Sequence, residues 1–137
     1  SFPTRRSSDL EHAGQGQVEL AIAEGSFFHA APQFLNLIVE NLVSNAVKYA
    51  SDGQIKIAIR HETSAMTCFR ISNCVAEGSL PDENRLFERY YRHPNFQNHP
   101  GMGIGLSLVH SAAEKMGATV SYQKADQEVI FEVRMPH

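Results

Sequence analysis

Cysteine is scarce in this chain: Cys68 and Cys74 are its only two, six residues apart. Two thiols supply neither a disulfide framework nor a full set of zinc ligands, so a reduced pair is expected, both on one side of a strand or its end. The seven histidines show no metal-ligand spacing, and His93 and His99 read as surface residues in a loop. A basic excess is missing too: 12 Lys and Arg stand against 15 Asp and Glu, for a net charge of −3. That balance lacks the electrostatic footprint of a nucleic-acid binder. No apolar run reaches membrane-spanning length, no secretory-signal pattern occurs and no internal repeat is visible. At 137 residues and 42% hydrophobic, the chain has material for one domain with its own core.

What is present starts with Gly101-Met102-Gly103-Ile104-Gly105-Leu106, which opens straight into an apolar-periodic helix. Alternating glycines let backbone N–H groups turn toward an anion without Cβ interference. The helix N-terminus behind them adds unpaired donors and a positive dipole end. The run reads as a phosphate cradle, although such turns also serve as plain connectors. Upstream, residues 32–50 form another helical pattern, with Leu35, Ile38, Leu42, Ala46 and Tyr49 on one core-facing stripe. Asn41 and Asn45 stack on one face, with Lys48 and Tyr49 a turn further on. Asparagine is a poor helix-interior residue, so the pair invites a functional reading. An amide oxygen is a hard, neutral ligand suited to Mg²⁺, which also takes water and phosphate oxygens, and Lys48 meets a phosphate as a point charge. The same side chains also read as the exposed polar face of an amphipathic helix, and both readings stand at this level.

The segment Asn41-Leu42-Val43-Ser44-Asn45-Ala46-Val47-Lys48-Tyr49 resembles the N box of sensor histidine kinases. Leu86-Phe87-Glu88-Arg89-Tyr90-Tyr91-Arg92 resembles their F box, and Gly101 to Leu106 their G2 box. Order and spacing are similar to the ATP-binding catalytic domain of that family over about residues 17–137. The resemblance implies an α+β fold: a two-layer sandwich with helices on one face of a mixed, mostly antiparallel sheet, shared with gyrase, chaperone and mismatch-repair ATPases. It implies ATP and Mg²⁺ as cofactors, held between the N-box helix and a mobile lid. On matching positions, Asn45 would hold Mg²⁺, Asn41 would support the metal and phosphates, and Lys48 would contact phosphate, together forming the catalytic set. Asn73 would read adenine, while Gly101, Gly103, Ile104, Gly105 and Leu106 would form the lid hinge and phosphate cradle. Tyr49 would stack near the base or complete the core stripe. Phe87 would pack under the lid, and Arg89 and Arg92 would reach toward phosphates or a partner domain, or remain solvated.

One motif departs from the family. Where a G1 box would read Asp-x-Gly-x-Gly, this chain has Asn73-Cys74-Val75-Ala76-Glu77-Gly78. An Asn oxygen still accepts from an exocyclic amine, but the bond is neutral rather than charge-assisted and so weaker. Val75 and Glu77 replace the glycines and restrict the turn, with Gly78 as a shifted hinge. Weaker or altered nucleotide binding is the expectation.

The patterning gives the elements independently. Residues 18–23 and 27–29 read as short strands, 54–62 as a half-buried strand with Ile55, Ile57 and Ile59 on one face, and 67–72 as its hairpin partner. A short helix is expected over 82–89 behind Pro81, a mobile loop over 93–102, and a helix over 105–116 ended by Gly117. A final hairpin joins 120–124 to 129–135.

Residues 1–10 back-translate to a string that resembles a common sequencing-library adapter read in frame; against the alternative of a natural polar N-terminal arm, they are expected to be non-native, with the domain over 11–137 as the C-terminal part of a larger protein. In the family such a domain donates the γ-phosphoryl of Mg·ATP to a histidine on a separate dimerisation domain of the same protein, and the phosphoryl passes to a response-regulator aspartate. The resemblance thus implies those two partners and a cytoplasmic domain of a parent anchored in the bacterial inner membrane. Neither nucleic acid nor direct membrane contact is expected. No histidine here has phosphoacceptor context, His12-Ala13-Gly14 included, so the fragment alone is not expected to autophosphorylate. Asn41 stands where the ATPase branches place a water-activating glutamate, and Glu40 points about 100° away, so hydrolysis lacks its base. The altered G1 box motivates the alternative: a degenerate module that binds a partner and no longer uses ATP.

Overall fold

The computed structural model describes residues 4–7, 17–22, 32–81, 84–88 and 105–136. The elements are β1 (Thr4–Ser7), β2 (Gln17–Ile22), α1 (Pro32–Tyr49), β3 (Gln54–Thr63), β4 (Met66–Cys74), α2 (Gly105–Met116), β5 (Thr119–Ala125) and β6 (Glu128–Pro136). They build one sheet in the order β1-β2-β3-β4-β6-β5. Only β2 and β3 pair in parallel, as a crossover through α1 requires. Strands β4 and β6 run antiparallel from Met66↔Pro136 to Cys74↔Glu128. The α+β sandwich with a mostly antiparallel sheet is therefore the observed architecture.

Strand alternation sorts the sheet into two faces. Ile55 and Ile57 of β3, Phe69 and Ile71 of β4, and Phe131, Val133 and Met135 of β6 form the helix-covered core. Ile38, Leu42 and Ala46 of α1 are buried on it at intervals of four residues, and α2 adds Val109, Ala112 and Ala113. Small residues on both helices let α1 and α2 lie against each other as well as on the sheet.

Local chemistry ends each helix. Pro32 opens α1, where its missing N–H costs nothing. Beyond Tyr49, Asp52 Oδ1 accepts from Gln54 N at 2.9 Å, turning the chain into β3. At the end of α2, Gly117 adopts φ 70°, Ala118 N donates to Ala113 O at 2.9 Å and Gly117 N to Glu114 O at 3.1 Å. That pair of bonds is a Schellman cap. No helix among the described residues is long and apolar enough to cross a membrane.

The helix expected over 82–89 is not formed across residues 84–88, which make turns instead. Glu88 N donates to Arg85 O at 2.8 Å, a three-residue closure rather than an α-helical one. A segment this short cannot offset helix nucleation, and burying Leu86 while seating Phe87 on the core needs only a turn. The strand expected over 27–29 and the loop over 93–102 lie outside the described residues. Thr4–Ser7, within the adapter-like segment, pairs antiparallel with β2 at the sheet edge.

The opposite face carries polar groups that are buried nonetheless. Glu132 is 3% exposed. Its Oε1 accepts from Gln123 Nε2 at 3.3 Å and Arg134 Nη2 at 3.4 Å, and the Cys68 thiol donates to Oε2 at 3.8 Å. Arg134 Nε donates to Glu62 Oε1 at 2.6 Å, and that bond raises the Arg134 pKa. Both thiols are free. Burial, with the nearby carboxylates of Glu132 and Glu62, pushes Cys68 from 9.0 up to about 11.

Two outcomes are expected. Ile38→Ala, at a fully buried position, should cost about 2–5 kcal/mol, read from the urea midpoint. The stability tied to the protonated Cys68 thiol is fully present below its ordinary pKa of 9.0 and is lost as pH rises toward about 11. Urea unfolding across that range should therefore show an alkaline decline that is shallower in Cys68→Ala.

Candidate functional site

The 3.6-residue period that buries Leu42 and Ala46 sets Asn41 and Asn45 about 100° around the same helix. Both are half-buried. Asn41 Nδ2 donates to Leu37 O at 2.7 Å, which leaves its oxygen as the acceptor. That oxygen faces the start of α2: a Cβ built on Gly105 would lie 3.0 Å from Asn41 Oδ1. Residues 64 positions apart, one from the N-box-like segment and one from the glycine run, are thus in contact. At the last turn of α1, Lys48 is exposed with its ammonium 5.8 Å from the centroid of the half-buried Tyr49 ring. A cation there also complements the negative end of the helix dipole.

Asn73 closes the third side. It is 5% exposed near the end of β4, and its Nδ2 donates to Cys74 O at 3.3 Å. The same carbonyl accepts from Ser51 N at 2.8 Å and from Ser51 Oγ at 3.3 Å. Ser51 lies just past α1, so these bonds tie the strand end carrying Asn73 to the C-terminal end of the asparagine helix. Beyond it, Val75 is buried and its N–H donates to Gln127 O at 2.8 Å. The turn then comes at Gly78, with φ 79° and Ser79 N donating to Ala76 O at 3.0 Å. The shifted hinge expected from the sequence is present.

Phe87 stands edge-on to Phe131 at 6.2 Å between ring centroids and 5.8 Å from the His110 ring of α2. Leu106 packs its side chain against the core, so what it offers a ligand is backbone. Arg89, Arg92, Gly101, Gly103 and Ile104 lie outside the described residues. Among the described residues no group of three or more His, Cys, Asp or Glu side chains could hold a metal ion. The donors at hand are the amide oxygens of Asn41 and Asn45. They fit Mg²⁺ as one or two hard ligands beside phosphate oxygens and water, and do not fit a cation needing an all-protein cage.

Residues 30–137 match the family of histidine kinase-, DNA gyrase B- and HSP90-like ATPases. The chain belongs to that family. It is 34% identical over 98 residues to the probable sensor protein PcoS of Escherichia coli, covering 69% of this chain and 21% of PcoS. Over 120 residues it is 32% identical to the heme sensor protein HssS of Staphylococcus aureus, covering 86% of this chain and 26% of HssS. In fold it is similar to the Acinetobacter baumannii histidine kinase AdeS, with a TM-score of 0.70 at 19% identity over 87% of this chain and 53% of that one. The chain spans about a quarter of the length of the two sensor proteins. It is an ATP-binding catalytic domain of the histidine kinase type.

Two contributors to this site were invisible in the sequence. Ser51 sits in a polar Ser-Asp-Gly stretch that reads as an ordinary turn, and only the tertiary bonds to Cys74 reveal its part. His110 appears as an exposed helix position until its ring is found beside Phe87. Asn73→Asp should lower the stability of the nucleotide-free chain by about 1–3 kcal/mol. It replaces the Nδ2 donor with a buried carboxylate facing the Cys74 carbonyl, and thermal unfolding without nucleotide reads the loss.

Proposed function

We propose that this domain binds Mg·ATP between α1, the start of α2 and the end of β4. In the protein to which it belongs, it donates the γ-phosphoryl to a histidine on a dimerisation domain, from which it passes to a response-regulator aspartate. The observation that carries this reading is the contact of Asn41 with Gly105, which joins the asparagine helix to the phosphate-cradling glycine run. Asn45 would hold Mg²⁺ with support from Asn41, and the bound ion would neutralise phosphate charge. Gly101, Gly103, Ile104, Gly105 and Leu106 would present backbone N–H groups at the positive end of α2, Lys48 would meet a phosphate, and Asn73 would accept from the adenine amine. Tyr49, Phe87, Arg89 and Arg92 would line the nucleotide.

The work of these groups is positioning and charge stabilisation, as phosphoryl transfer needs. The neutral amide of Asn41 cannot take a proton from water, which favours transfer over hydrolysis. We assign the domain to residues 11–137, with 1–10 as non-native sequence, and place it on the cytoplasmic side of a membrane-anchored parent, without contact to nucleic acid or lipid. A second reading, a partner-binding module without nucleotide, is favoured by Val75 and Glu77 standing in place of the G1 glycines.

Calorimetric titration of Mg·ATP separates the two. Binding should occur, weaken by roughly ten- to a hundredfold in Asn45→Ala, and tighten several-fold in Asn73→Asp as the adenine contact becomes charge-assisted. A folded chain with no detectable binding at millimolar nucleotide would overturn the Mg·ATP reading and favour the partner module.

A further inference from the structure

Glycines occur in this domain for two opposite reasons. Gly78 and Gly117 have φ of +79° and +70°, and a Cβ on either would meet nothing within 4 Å. Those positions need glycine for its backbone freedom, in open space. Gly105 is the reverse. It is the first residue of α2, its backbone lies outside the left-handed region, and a Cβ there would stand 3.0 Å from Asn41 Oδ1 and 3.8 Å from Asn41 Cγ. Its conformation is open to any residue, so what excludes a side chain is the asparagine alone. Asn41 cannot readily swing aside, because its nitrogen donates to Leu37 O at 2.7 Å one turn back in α1, and giving up that bond leaves a half-buried amide donor unpaired.

We propose that Asn41 is a positioning residue for α2: its amide oxygen is the stop against which Gly105 seats, and glycine is required at 105 because asparagine occupies 41. The bond to Leu37 fixes the amide, and the amide fixes how closely the first turn of α2 approaches α1. The backbone N–H groups of that turn, aligned with the positive end of the helix dipole, are thereby held at a set distance from the Asn45 side of α1. The consequence for phosphate binding rests on the Mg·ATP reading above; the steric coupling of 41 to 105 does not.

The test is a double-mutant cycle in the full chain: wild type, Gly105→Ala, Asn41→Ala and the pair. Each is read by thermal midpoint and by Mg·ATP titration. With Asn41 present, Gly105→Ala should lower the midpoint and weaken nucleotide binding on the order of tenfold. Added to Asn41→Ala, the same change should leave affinity within about twofold of Asn41→Ala alone, and hold or raise the midpoint, because alanine is the better helix former. If Gly105→Ala does not fold, recovery of a folded chain by adding Asn41→Ala supports the stop, and failure to recover overturns it. An equal cost of Gly105→Ala with and without Asn41→Ala, or none in wild type, also overturns it. Should wild type bind no nucleotide, the Mg·ATP reading fails, while the midpoints still decide the coupling.

Discussion

The burial of one stripe of α1 governs where the candidate ligand-facing asparagines of that helix stand. Ile38, Leu42 and Ala46 are held on the sheet by Phe69, Ile71, Phe131 and Val133, and a helix pinned along one stripe has no rotational freedom left. Asn41 and Asn45 each precede a buried residue by one place, so they are committed to one flank. That flank is the one α2 approaches, since Gly105 meets Asn41. The core therefore does more than stabilise the domain: it aims the asparagines, and α2 arrives at them because its own Val109, Ala112 and Ala113 bury on the same sheet.

The oxygen donors of the candidate site come from neutral amides held in fixed orientation. Asn41 and Asn73 each direct an amide nitrogen to a main-chain carbonyl, Leu37 O and Cys74 O, and so each keeps its oxygen as an acceptor. Neutral oxygens cost little to bury when their nitrogens are bonded, and they do not repel an incoming polyphosphate as carboxylates would. The charged groups of the core lie on the far side of the sheet, where Glu132, Arg134 and Glu62 satisfy one another. Placing that network away from the asparagine face keeps a buried carboxylate from the region where an anion would bind.

Most of the fold was legible because its elements have strong periods. The expected helix over 105–116 coincides with α2, and the one over 32–50 ends a residue beyond the observed Tyr49. The isoleucine alternation of β3 and the two antiparallel hairpins also fall where expected, within a few residues. What failed was the helix over 82–89, where Pro81 and the Leu86–Phe87 pair mimic a helix start although a turn suffices to seat both side chains. The buried polar network could not be read at all. Glu132 takes its partners from positions 64, 9 and 2 residues away, and no local pattern carries that information. For the site, the asparagine pair and glycine run were legible as motifs, but their contact at 41 and 105, and the anchoring of Asn73 by Ser51, are tertiary facts.

The altered G1 segment illustrates how a strand end keeps its place without the glycines that resemblance led one to expect. The position of Asn73 rests on backbone bonds: Ser51 N to Cys74 O on one side and Val75 N to Gln127 O on the other. Neither depends on the side chain at 75, which is free to become apolar and buried. Conformational freedom is needed only where the chain reverses, and that point has moved to Gly78, where φ is positive and space is open. Loss of the glycines therefore does not by itself dismantle the strand end that carries Asn73. On the proposed Mg·ATP reading, what changes there is the acceptor, a neutral amide oxygen in place of a carboxylate. The chemical consequence of the altered motif is thus concentrated in one hydrogen bond rather than in the shape of the strand.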